Sequence, residues 1–167
     1  MCGVSWSEIE RKFADFWPQF EYSGLHPGIP PDRGAELCHV KSSNLNATIH
    51  ASAAHYSFEI AAGGPQPNGV IIIADSAAPV ERSYRSQLFT RHLPRADYQG
   101  ERYGIWFTDQ EAGLYDYQTN TLIAKYVRSF SPGTAFWDPE KLVIRFYLDK
   151  NLVAGNAKDI QFRIAER

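Results

Sequence analysis

Histidines and a glutamate crowd together in the stretch NATIHASAAHYSFEIAAGG, residues 46–64. Imidazole and carboxylate are the groups that exchange protons near neutral pH, and they also ligate zinc and similar ions. His50, His55 and Glu59 are therefore the candidate catalytic residues, as acid or base and its partner. The residues around them alternate. Ala47, Ile49 and Ala51 interleave with Thr48, His50 and Ser52; Tyr56, Phe58 and Ile60 then interleave with His55, Ser57 and Glu59. The apolar set changes parity across Ala53 and Ala54. A hairpin turning there would set Ile49 opposite Phe58 and Ser52 opposite His55, and a β-bulge in one long strand would change parity equally well. Ala-Ala is poor chemistry for a two-residue hairpin turn, so the bulge is the expected form. Either way Thr48, His50, Ser52, His55, Ser57 and Glu59 share one face. No His-x-His element accompanies them, so no metal is assigned. The plain alternative is a solvated sheet face.

A second candidate is the run of Arg82, Arg85, Arg91 and Arg95 with His92, which follows the apolar stretch GVIIIAD. Guanidinium forks suit carboxylates and phosphates, so Arg82 and Arg85 are expected to meet an anionic ligand or partner. The alternative is a surface segment paired with Glu81, Asp97 and Glu101. The spacing of Val80, Tyr84, Leu88 and His92 leaves helix and strand both open. Tyr84, Phe89 and Tyr98 could stack on bases, but a net charge of -2 argues against a nucleic-acid binder.

Removal of Met1 would leave Cys2-Gly3 at the N-terminus, a start that resembles class II glutamine amidotransferases and abasic-site crosslinking proteins. The resemblance covers three residues. It implies a thiol nucleophile at Cys2, which also needs a base or oxyanion donors nearby. Where those families first run a core strand, this chain opens a helix. Asp109 and Glu111, and Asp138 and Glu140 around Pro139, stand in turn sequences and are turn formers first. No phosphate loop, dinucleotide fingerprint or serine nucleophile elbow is present, and no cofactor is implied.

The elements that must hold these residues follow from periodicity. SWSEIERKFADFWPQF predicts a helix over about residues 7–20: Ser7 and Glu10 form a capping box, Ile9, Phe13, Phe16 and Trp17 make one apolar face, and Pro18 limits it. GLHPGIPPDRG is expected to be an irregular loop. GVIIIAD, apolar on both faces, is a buried strand. RYGIWFT, GLYDY, TLIAKYVRSF, LVIRFYLD and DIQFRIA complete a β-rich body over about residues 45–167. The expected fold is one domain over 1–167: an antiparallel β-barrel or strongly curved meander sheet with the N-terminal amphipathic helix on one end or face. An α+β layer is the runner-up.

At 14% aromatic, the chain can line a barrel lumen with Tyr56, Tyr103, Tyr126, Tyr147 and Trp106. The expected function is binding of a small, partly apolar or anionic molecule in such a cavity. The alternatives are a lyase or isomerase using the His/Glu pair there, and a protein-interaction module such as an inhibitor or immunity factor. No apolar run reaches the ~20 residues of a bilayer span. Two cysteines, Cys2 and Cys38, suggest a reduced, cytoplasmic setting.

Overall fold

The computed structural model describes residues 24–75, 102–117, 121–130, 132–153 and 160–166. The expected helix over about residues 7–20, Cys2 and the arginine run 82–95 lie outside them. The described elements are β1 (Leu25–Pro27), β2 (Ala35–Lys41), β3 (Leu45–Ala51), β4 (His55–Ala62), β5 (Asn68–Asp75), β6 (Tyr103–Thr108), β7 (Glu111–Asp116), β8 (Thr121–Val127), β9 (Trp137–Asp138), β10 (Val143–Asp149) and β11 (Ile160–Glu166). Short 3-10 turns follow β8 and β10. Among the described residues there is no α-helix, so the runner-up helix layer has no member there.

The strands form two antiparallel sheets. The first has the order β1-β10-β4-β3-β2, with β9 beside β1 along the same edge of β10; the second has the order β11-β5-β6-β7-β8. Consecutive hairpins build β2-β3-β4 and β5-β6-β7-β8. The chain passes between the sheets three times, from β4 to β5, from β8 to β9 and from β10 to β11.

The expected closed barrel is corrected to two facing sheets. Their margins approach, β11 running near β2 and β3, and β1 near β8 and β7. Closure would need a hydrogen-bonded ladder across both seams. β1 is too short and carries Pro27, which has no N–H to donate, and β2 shifts register between Glu36 and Cys38. Neither edge offers a continuous ladder.

The space between the sheets is filled rather than hollow. Ile49, Phe58, Ile60 and Phe146 from the first sheet meet Ile71, Ile73, Ile105, Phe107 and Leu114 from the second, all fully or almost fully buried. Phe58 and Phe146 stack at 5.1 Å, and Phe146 reaches Phe107 across the gap at 6.4 Å. Phe136, from the loop before β9, inserts between Tyr126 and Phe146. A buried aromatic cluster inside antiparallel sheets is thus the centre of the fold, and each large member contributes about 3–5 kcal/mol against truncation.

Alternation places the chemistry. Residues 46–64 form a hairpin, not the expected bulged strand: Ile49 pairs with Phe58 and Ala51 with Tyr56. Ser52 replaces the turn chemistry that Ala53-Ala54 lacks. Its N–H donates to the His55 carbonyl at 2.9 Å, and its hydroxyl accepts the His55 N–H at 3.1 Å.

Candidate functional site

β10 presents Arg145, Tyr147 and Asp149 on the outer face of the first sheet, opposite Glu59, Ser57 and His55 of β4. On its other side β10 is joined by β1, which sets His26 opposite Tyr147. Glycines make this short strand possible. Gly24 takes φ of 110° and Gly28 φ of 86°, conformations costly for other residues. Bonds from Asp149 N–H to the Gly24 carbonyl and from Gly28 N–H to the Arg145 carbonyl, both 2.9 Å, pin the strand at each end. The Lys150 N–H donates to the Ala54 carbonyl, tying the end of β10 to the hairpin turn.

Asp149 lies at the meeting point. Its Oδ1 is 3.0 Å from Nε2 of His26 and 3.3 Å from Nε2 of His55. An ionised carboxylate only accepts hydrogen bonds, so a neutral His26 ring carries its hydrogen on Nε2 and leaves Nδ1 with a free lone pair. Tyr147 packs beneath both rings, 4.8 Å from His26 and 5.0 Å from His55, the latter edge-on. The side chains are 37% exposed at His26 and Asp149 and 25% at His55.

The sequence-derived site residues are distributed differently from the expectation. His55 turns to Asp149, whereas Glu59 accepts the Nε–H of Arg145 at 3.1 Å. His50 sits between Glu36 of β2 and Ser57 of β4. The three thus share a face without converging. Among the expected cavity residues, Tyr56, Tyr103 and Tyr126 are core. Burial pushes the Tyr56 phenol up, and the Tyr126 hydroxyl is hydrogen-bonded to Thr134 at 2.6 Å. Trp106 lies on the outer face of the second sheet, donating to Asn68. Tyr147 alone joins the histidine cluster. Arg82 and Arg85 lie outside the described residues.

Sequence reasoning missed His26 and Asp149. Alternation within LVIRFYLD already puts Arg145, Tyr147 and Asp149 on one face, so Asp149 carried a signal. His26 carried none, because a three-residue strand between prolines and glycines has no period to read. Asp138 does act as a turn former: its carboxylate accepts the N–H groups of Glu140 and Lys141.

Among the described residues no three His, Cys, Asp or Glu side chains form a group able to hold a metal ion. No helix among them is long and apolar enough to cross a membrane. Compared with protein-family models, curated proteins and solved structures, the chain matches none of them.

Proposed function

We propose that the protein binds a small, partly apolar molecule on the outer face of its first sheet, around His26, His55, Tyr147 and Asp149. The observation that carries this reading is the convergence of two histidines, from the two strands that flank β10, on one carboxylate oxygen beside a tyrosine ring. Imidazole and phenol rings supply flat apolar surface with polar tips, and the carboxylate fixes their orientation. A planar ligand with a hydrogen-bond donor suits the Nδ1 lone pair of His26.

A second reading is favoured by one detail. An imidazole held through one nitrogen by a carboxylate, with the other nitrogen free, is the arrangement of a general base. Acid–base catalysis on the bound molecule would use His26 or His55 in this role, with Asp149 as the positioning residue.

The test is ligand-observed NMR with a library of small aromatic and heteroaromatic fragments. Hits should lose their signal in Tyr147→Ala and weaken at least fivefold in Asp149→Ala, with the variants' folds confirmed by amide spectra. Hits that bind both variants as tightly as the native chain would place recognition elsewhere.

A further inference from the structure

The same hairpin carries a second feature at its other end. Where β3 begins, β4 ends and the chain crosses to β5, an open cavity of about 420 Å³ lies between the sheets' margins, with Glu166 of β11 on its far side. Its size falls in the usual range for small-molecule sites. The strands of the hairpin are seven and eight residues long, which puts roughly 20 Å between this cavity and His55. The two sites are therefore separable.

The lining has a distinct chemistry. Asn44, Gln66 and Asn68 bring side-chain amides, Glu166 a carboxylate, and Gly63 and Gly64 backbone, exposed at Gly63 and half-buried at Gly64. The floor is apolar: Leu45 and Pro67 are buried. Several polar groups are already fixed. Glu166 Oε1 accepts the Asn44 N–H at 2.8 Å, and the Asn44 carbonyl accepts the Gly63 N–H at 2.7 Å. The Trp106 indole, which can only donate, holds Asn68 Oδ1 at 3.0 Å and so turns the Asn68 amino group away from the indole. Among the described residues the side-chain amides of Asn44 and Gln66 have no protein partner.

Ligand classes can be weighed against this lining. No lysine or arginine lines the cavity, so an anion has no counter-charge. A single carboxylate, one oxygen already engaged, is too little for a hard cation, which takes six or more oxygens. A wholly apolar guest would strip water from the amides and return nothing. A hydroxyl both donates and accepts, as an amide does, and a sugar ring adds apolar C–H faces for a floor such as Leu45 and Pro67. We propose that this cavity binds a neutral polyhydroxylated ligand, a mono- or disaccharide.

The experiment is a titration of the full chain, isotope-labelled, with glucose, galactose, mannose, N-acetylglucosamine and their β-1,4-linked disaccharides at millimolar concentrations. At least one should shift the backbone amides of Gly63 and Gly64 and the side-chain amides of Asn44, Gln66 and Asn68, leaving His26 and His55 unmoved. Gly64→Phe places a ring at the rim, where an added Cβ meets nothing within 4 Å, and should abolish the shifts. Gln66→Ala should weaken binding at least threefold. Absence of shifts with every sugar would overturn the proposal, as would shifts that persist in both variants. Equal shifts from calcium or phosphate alone would overturn it too, marking an ion site.

Discussion

The outer face of the first sheet carries His26, Tyr147, Asp149, His55, His50 and Arg145, whereas the outer face of the second buries Val70, Ile72 and Tyr117 with Tyr115 and Ala165 against them. Both faces are made by the same period-two alternation over the same kind of inner core. The difference lies in what each sheet's second side is permitted to be. β4 alternates polar and apolar residues, so its outer side remains free for titratable groups. β5 is apolar on both sides, and Val70 and Ile72 are almost wholly removed from solvent. Polarity on an outer face therefore marks where chemistry can be done, and apolarity there marks a second packed surface.

The sharpest way to break this comparison is to truncate one residue on each face. Ile72→Ala should cost about 2–5 kcal/mol. His50→Ala, at a half-buried position, should change stability by no more than about 0.5 kcal/mol. Denaturant melts of the two variants check the contrast, and equal losses would mean the faces are packed alike.

A smaller effect is expected at Gly104. A Cβ there would run into the hydroxyl and ring of Tyr117, which lie across the backbone of β6. Gly104→Ala should cost roughly 1–3 kcal/mol. Combined with Tyr117→Phe it should cost less than the sum of the two single changes, because both alter one contact. Strict additivity in the melting data would separate them. On the polar face, breaking the cross-strand pair Arg145–Glu59 with Glu59→Gln should cost only about 0.2–1 kcal/mol, with the loss shrinking in high salt.

The least effect concerns Cys38, half-buried on β2. Burial, then the nearby Glu36 carboxylate, raises its thiol above the ordinary 9.0. Less thiolate is present at a given pH, so alkylation in the folded chain should trail that of the unfolded chain and gain speed only at higher pH. Glu36→Gln should move the rate profile to lower pH. A profile unmoved by this change would leave burial as the whole cause.

Much of this architecture is legible in the sequence because alternation is a local signal. The strands containing Ile49, Phe58, Ile71, Ile105 and Phe146 follow from it, as does the shared face of His50, His55 and Glu59. The form of the hairpin was not legible from Ala53-Ala54, since the turn is closed by the Ser52 hydroxyl rather than by turn-favouring residues. Barrel or sandwich was not legible either. That choice depends on whether edge strands pair across seams, and Pro27 and the irregularity at Cys38 act there only once their strands are known to be edges. The pairing of His26 with Asp149 joins residues 123 positions apart, beyond any periodic pattern.

The central claim is that Asp149 holds both histidines as one unit, and it is tested most directly by long-range proton–nitrogen NMR of the imidazole rings in the native chain and in Asp149→Ala. The account predicts that in the native chain, with the rings neutral, Nε2 carries the hydrogen at His26. It also predicts that removing the carboxylate shifts the ring nitrogens of both His26 and His55 while leaving those of His39 and His50 in place. Unchanged spectra at His26 and His55 in the variant would contradict it.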